Sequence, residues 1–329
     1  PGQVLRATHV DDLRRWFNTS ETGVANYQFP RVRPMIFGIN PSWSEFQASP
    51  QYSNDAMLAR IRAAGATCIR AGIDWACIEP AAPVNGQHTY YWDATQAPAN
   101  VRCSNARNYE ADVQLALLHG LTFIAVVGTA PNWATGNASG QMPPDAGHTA
   151  DFHAFVTAVA QHFQGRIHHY EFNNEPDFSQ SWNNPDPVKY VHFLQLFYNA
   201  IKGVDGSAWV STGGVSNLHS NAGLNFISQI YANNGRPFFD AIAGHPYNPN
   251  SGPMDIAGIQ NLRVSMINNG DAFKPIWITE YGWDLSTISP AQQQTNLQNA
   301  LGFFANPNNN YVTIATFQLI ADVPGAMMG

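Results

Sequence analysis

Eight short apolar runs, at 36–40, 67–73, 122–127, 168–173, 209–213, 241–245, 275–279 and 313–319, constrain this chain more than any other feature, because amphipathic segments alternate with them. The helical patterns fall at about 55–65, 105–119, 151–163, 187–202, 222–233, 256–269 and 290–304. Strand, helix and strand in repeated order imply a parallel sheet with helices on its faces. Eight strands with seven helices between them predict an α/β fold of the (β/α)8 TIM barrel type, in preference to an open doubly wound sheet. At 329 residues the chain fits one such domain with loop insertions, since these barrels run to ~250 residues and more. The barrel is expected over 36–329, with 1–35 as an N-terminal segment carrying a short helix that packs on it. Few residues follow the eighth strand, so either the polypeptide is shortened there or another segment covers the place of an eighth helix. HVDDLRRWF puts Val10, Leu13, Trp16 and Phe17 on one helical face and fits that gap.

Composition narrows the partners. Charged residues are 12% of the chain against a typical ~25%, the net charge is −7, and lysine occurs only as Lys189, Lys202 and Lys274. Phosphate backbones and anionic lipid both attract a basic face, which is missing here, so no nucleic-acid partner is expected. No run approaches the ~20 apolar residues that span a bilayer, so no membrane insertion is expected. The chain opens at Pro1 without a positive-then-apolar leader, which reads as a soluble, processed or trimmed protein. A surface built on Asn, Gln, Ser, Thr and Gly, with 12% aromatics, suits an extracellular carbohydrate-active protein. The expectation is therefore a secreted monomer, outside the cell or in the periplasm, with a polysaccharide or oligosaccharide as its partner. Of the three cysteines, Cys68 lies in an apolar stretch and reads as a buried free thiol. Cys77 and Cys103 flank a long Pro/Gly-rich loop and either pair or stay reduced.

Such barrels place their chemistry at the carboxyl ends of the strands. Those ends carry Asn40, then Arg70 and Asp74, Asn132-Trp133, Asn174-Glu175-Pro176, Ser216-Asn217, His245-Pro246-Tyr247 and Glu280-Tyr281-Gly282-Trp283. Glu175 and Glu280, on strands 4 and 7, should face each other across the mouth. Two facing carboxyl groups suit cleavage of a glycosidic bond, where one protonates the departing oxygen and the other attacks the anomeric carbon. A separation of ~5–5.5 Å gives net retention and ~6.5–9.5 Å gives inversion. The strand positions favour the close pair. Glu280 follows the buried run Ile276-Trp277-Ile278 and needs donors to stay ionised; Arg70 and Tyr247 are the candidates. Its charge should keep Glu175 protonated for the first step, and once a sugar occupies Glu280 the other glutamate can act as base for water. Asn174 could donate to the sugar 2-hydroxyl. Trp43, Trp75, Trp133, Trp182 and Trp283 lie at or beyond strand ends, where an indole face could stack on a pyranose; Trp133 and Trp283 are favoured.

At these residues the sequence resembles the clan A retaining glycosidases, closest in pattern to bacterial family 39 enzymes, including endo-acting exopolysaccharide hydrolases. The likeness covers 36–319 and rests on AGATCIRAGIDWACIEP, GTAPNWA, HHYEFNNEPD, FDAIAGHPYN and PIWITEYGWD in barrel order. It implies Glu175 as acid/base, Glu280 as nucleophile, and supporting roles for Arg70, Asn174, His245 and Tyr247; Asn40 is a further substrate-binding candidate from its place at the end of strand 1. Two departures bear on the sugar subsites. Asn173 stands where these enzymes often carry an aromatic, and Gln318 lies in the strand 8 region where many carry Trp.

Plainer readings stand beside these. Glu171 should lie deeper than Glu175 as a buried structural acid, and Arg70 could merely tie the barrel together through Asp74 or Glu171. His168, His169 and His245 form no HExxH or HxH pattern, so neither a metal nor a cofactor is expected. Asn18 and Asn137 match the glycosylation sequon. The competing functions are a carbohydrate-binding barrel without catalysis and a transglycosylase using the same two glutamates.

Overall fold

The computed structural model of the chain describes residues 35–41, 53–98, 103, 106–136, 142–219, 222–284 and 286–318. The N-terminal helix with Val10, Leu13, Trp16 and Phe17, the residues Trp43, Asn18 and Asn137, and whatever covers the place of an eighth helix lie outside them.

Eight parallel strands form the barrel: β1 Ile36–Asn40, β2 Cys68–Asp74, β3 Thr122–Gly128, β4 His169–Phe172, β5 Trp209–Thr212, β6 Ile242–Gly244, β7 Ile276–Tyr281 and β8 Val312–Gln318. The sheet runs β5-β4-β3-β2-β1-β8-β7-β6. Isolated parallel bridges, Ser211 to Ala241 and Val215 to Gly244, join β5 to β6 and nearly close the ring. A helix follows each of the first seven strands: α1 Asn54–Ala63, α2 Tyr109–Leu118, α3 Thr149–His162, α4 Pro187–Val204, α5 Ala222–Ala232, α6 Ile256–Asn268 and α7 Pro290–Ala305. Their starts are chemically marked. Asp186 accepts from the amides of Val188 and Lys189 ahead of Pro187, and Ser289 accepts from Gln292 ahead of Pro290.

Two apolar cores follow from a strand's alternation of faces. The larger lies between barrel and helices, where Leu58, Ile69, Phe123, Phe155, Phe172 and Phe197 are buried. The smaller fills the barrel with Cys68, Ile124, Ala241, Ala243, Trp277 and Ile314. Gly38 makes room for it, since a Cβ there would meet the Cys68 sulfur at 2.2 Å. Burial pushes the Cys68 thiol far above its ordinary pKa, leaving it inert packing. Cys77 and Cys103 form a disulfide. Above the inner plug, the interior turns polar towards the carboxyl ends, with Arg70, Glu171, His245, Thr279 and Thr316 all buried. No helix among the described residues is long and apolar enough to cross a membrane.

Candidate active site

Arg70, inside β2, organises this polar layer. Its Nε and Nη2 donate to the two oxygens of Glu171 at 2.7 and 3.0 Å, Nη1 donates to Glu280 Oε1 at 2.8 Å, and Nη2 also donates to Asn174 Oδ1 at 2.7 Å. The fork of the guanidinium makes four hydrogen bonds to three partners from one position, one more than the three N–H groups of an ammonium could supply. Because Asn174 Oδ1 accepts from Arg70, its amide NH2 is left to face outward as a donor. Glu171 is wholly buried and accepts further bonds from the Gly214 amide at 2.9 Å and the Thr279 hydroxyl at 3.1 Å. It is a structural acid. Asp74, the other partner considered for Arg70, is held instead by Tyr109 and Thr129.

Glu280 belongs to β7 and receives the Tyr247 hydroxyl on Oε2 at 2.9 Å, so both donors named from the sequence reach it. Burial opposes ionisation of Glu280, but His245, Arg70 and Tyr247 together hold its carboxyl below the usual carboxylate range. Burial pushes the Tyr247 phenol well up, which keeps it a donor.

Glu175 sits differently. β4 ends at Phe172, and Asn173 and Glu175 follow with φ of 62° and 43°. Asn tolerates the left-handed region, but at Glu it costs on the order of 1–3 kcal/mol. The Glu175 amide donates to Gly214 O at 3.1 Å, which secures the turn. The regular strand assumed when placing Glu171 beneath Glu175 does not extend that far, although Glu171 does lie deeper.

His245 lies between the two glutamates, with Nδ1 2.9 Å from Glu175 Oε1 and 3.9 Å from Glu280 Oε2. Thr279 donates its single hydroxyl proton to Glu171, so it accepts from His245 Nε2–H at 3.1 Å, and Nδ1 is left to Glu175. Burial disfavours the imidazolium, and the Glu280 and Glu175 carboxylates outweigh it, raising His245 above the usual histidine range. Gly214 leaves space for the ring, since a Cβ there would meet Nε2 at 2.2 Å.

Ligating atoms of Glu175, His245 and Glu280 all lie within 4.8 Å of one another. Arg70 already supplies positive charge against Glu280, and His245 holds a proton in preference to giving up a lone pair. The set suits proton transfer better than a cation. His168 pairs with Asp205 at 3.4 Å, and His169 packs on Trp277; both lie outside this group.

The other sequence-derived site residues fare unevenly. Asn40 is buried and donates to Thr279 O at 3.0 Å and Gln318 Oε1 at 2.5 Å, so the strand 8 departure faces the site. Trp283 does not present a stacking face. It is 3% exposed, its indole N–H donates to Gly252 O, and its ring packs on Tyr281 and Phe317. Trp75 and Trp182 are likewise core residues. Trp133 is half-buried, donates to Glu79 O at 3.0 Å and sets its ring edge-to-face with Trp75. Apolar side chains at barrel corners find core partners before they find substrate, and sequence position alone cannot separate the two. Asp74 and Asn173, noted in the sequence at a strand end and as a subsite departure but given no role there, line the cleft together with Thr129, which the sequence did not single out. The left-handed φ of Thr129 has no sequence signal in a β-branched residue.

A 22% identical family 39 glycoside hydrolase from the gut symbiont Bacteroides cellulosilyticus WH2 superposes with a TM-score of 0.65, over 90% of this chain and 59% of that one. A family 39 β-xylosidase from Caulobacter crescentus gives 0.61 at 12% identity, over 88% and 64%. The endoglucanase Cel5A from the hyperthermophile Thermotoga maritima gives 0.58 at 15% identity, over 86% and 88%. These establish the shared barrel, and the chain spans about 59–64% of the length of the first two. No curated protein matches the sequence. A family model described as cellulase (glycosyl hydrolase family 5) matches residues 27–316, nearly the whole barrel. The resemblance to clan A enzymes thus holds, and the chain belongs to the cellulase family, glycosyl hydrolase family 5.

Proposed function

We propose that this protein is a retaining glycoside hydrolase that cleaves β-linked polysaccharide or oligosaccharide with Glu280 as nucleophile and Glu175 as acid/base. The observation that carries the reading is the short reach between the carboxylates: one oxygen of each lies within 4.8 Å of the other. A retaining pair stands ~5–5.5 Å apart, and an inverting pair needs ~6.5–9.5 Å to admit a water between acid and sugar.

In the first step Glu280 forms a bond to the anomeric carbon as the glycosidic C–O bond breaks, and the departing oxygen takes the proton from Glu175. Arg70 and Tyr247 keep the attacking carboxylate ionised and fixed. The outward amide of Asn174 is placed to donate to the 2-hydroxyl, a bond that strengthens as positive charge develops on the ring. In the second step Glu175, now a carboxylate, takes a proton from water as that water attacks the same carbon and Glu280 leaves. The two inversions restore the original configuration. His245, donating to Glu175 Oε1 when charged, leaves Oε2 to handle the proton.

A sugar hydroxyl replacing water in the second step would make the protein a transglycosylase, and a barrel that binds without cleaving is the other alternative. The second has little support, because a pure binding site gains nothing from two carboxyl groups held together. The likeness to family 39-type enzymes that include endo-acting exopolysaccharide hydrolases supports endo action. Secretion is supported by the sparse charge and by the Cys77–Cys103 disulfide, a bond favoured in oxidising compartments. The test is proton NMR of the first product formed from a β-glycan panel. Retained anomers with the wild type and no turnover in Glu175→Gln or Glu280→Gln are expected; inverted anomers, or tight binding without hydrolysis, would overturn the reading.

A further inference from the structure

A cavity of about 300 Å³ opens at the ends of β1 to β4, β7 and β8, against Asn40, Arg70, Asp74, Asn173, Asn174 and Glu280. Its wall includes Glu280 and not Glu175. In the proposed reaction the ring attacked by Glu280 occupies the nucleophile's side, and the leaving group departs past Glu175. The cavity therefore belongs to the glycone. No aromatic ring lines it among the described residues, so a sugar seated there is recognised through hydrogen bonds.

Asp74 is built for this. It occupies the N-cap position of the turn Trp75–Ile78, where an Asp ordinarily caps backbone amides, yet its side chain makes no capping bond. Its Oδ1 accepts instead from the Thr129 hydroxyl at 3.0 Å and its Oδ2 from the Tyr109 hydroxyl at 3.1 Å. Thr129 delivers that hydroxyl from a φ of 56°, a conformation β-branched residues rarely adopt and one that gathers at functional sites. Held this way, each carboxylate oxygen keeps a further lone pair. On the same wall Asn173 is 5% exposed, and its Nδ2 has no hydrogen-bond partner. Gly128 lets the Asn173 amide lie close, since a Cβ there would meet its Oδ1 at 2.6 Å.

We infer that Asp74 is a glycone-recognition residue, its carboxylate accepting from hydroxyl groups of a neutral sugar beside Glu280 while Asn173 supplies a donor to the same ring. A hydroxyl both donates and accepts, which matches an acceptor and a donor on one wall. The two guanidiniums nearby are engaged, Arg70 by Glu171 and Glu280 and Arg107 by Asp112, so neither is left as counter-ion to a sugar carboxylate. The inference rests on Glu280 being the nucleophile.

The experiment measures kcat/KM for wild type, Asp74→Asn and Asp74→Ala on the best aryl β-glycoside and its monodeoxy analogues, with thermal unfolding of each variant. Asp74→Asn should lower kcat/KM by ~10²-fold or more, as loss of a hydroxyl-recognising group does. One deoxy analogue, poor with wild type, should lose little further with Asp74→Asn, because that variant has already forfeited the same contact. An equal loss on the parent and on every deoxy analogue, or no loss at all, would overturn the inference. Should Asp74→Ala not fold, the isosteric Asp74→Asn carries the test. A wild type that inverts or does not hydrolyse would count against the proposed function; a retaining wild type without this coupling would count against Asp74 alone.

Discussion

Glu280 stands within β7, Ile276–Tyr281, where the pairing with β8 shifts register between Ile278 and Tyr281, whereas Glu175 lies beyond the end of β4, on backbone turned into the left-handed region. Arg70 and Tyr247 grip both oxygens of Glu280, while His245 meets one oxygen of Glu175. The contrast fits the nucleophile and acid/base roles proposed for them. A nucleophile must hold one charge state and one direction, which suits a position inside a barrel strand with a donor on each carboxylate oxygen. An acid/base changes protonation twice per turnover, and too many fixed donors would trap it as a carboxylate.

The largest effect that can break this comparison comes from removing each carboxylate and supplying azide. Glu280→Gly and Glu175→Gly should each lose on the order of 10⁴-fold or more in kcat with an unactivated substrate. With an aryl glycoside whose leaving group departs without a proton, azide restores turnover to both with opposite products: it attacks from the face Glu280 vacated to give the inverted glycosyl azide, and it intercepts the Glu280-bound sugar in Glu175→Gly to give the retained one. Identical configurations would erase the distinction between the two ends.

A smaller effect sharpens the account of the grip. Arg70→Met should lower kcat by roughly 10²–10³-fold, the cost of losing a group that stabilises charge in the site. The same variant should move the pH profile. Glu280 is depressed below its ordinary 4.5, so the acid limb of kcat/KM in the wild type should fall below that pH, and in Arg70→Met or Tyr247→Phe it should move up. An acid limb that ignores both substitutions would mean that Glu280 does not set it.

The linkage to stability has two signs. A depressed Glu280 stabilises the fold above about pH 4.5, and this is lost as pH falls through its folded value. A raised His245 stabilises below about pH 6.5, and this is lost as pH rises through its own folded value. Thermal melts of His245→Asn against wild type should therefore differ most below pH 6.5 and converge on the alkaline side. The smallest effect on activity is expected at the Cys77–Cys103 disulfide, which joins residues separated by 26 positions. Breaking it should cost about 3–4 kcal/mol and lower Tm by roughly 5 °C or more, with kcat of the folded enzyme unchanged.

The barrel was legible because its strands are apolar runs and its helices carry 3.6-residue periodicity, and the signals reinforce one another seven times. Strand ends were less so. The reading carried the sixth strand to 245, but regular pairing stops at Gly244 and His245 lies just past it, free to turn towards Glu175. That Glu175 and Glu280 would lie near each other was legible from residue type at equivalent strand ends, and that Arg70 and Tyr247 would reach Glu280 from the need of a buried carboxylate for donors. Trp283 was misjudged because alternation gives a face only while the strand lasts, and one irregular residue re-aims every side chain after it. Asp74 was placed at the carboxyl end of strand 2 but read only as a possible ion-pair partner of Arg70, because the hydroxyls of Tyr109 and Thr129 that hold it come from residues distant in the sequence.

The most direct measurement is mass-spectrometric peptide mapping after inactivation by an activated 2-deoxy-2-fluoro β-glycoside, which slows the second step more than the first and lets the glycosyl-enzyme accumulate. The account predicts one sugar per chain, attached to Glu280, forming far more slowly in Arg70→Met. A sugar on Glu175, or inverted product with no adduct on the chain, would contradict it.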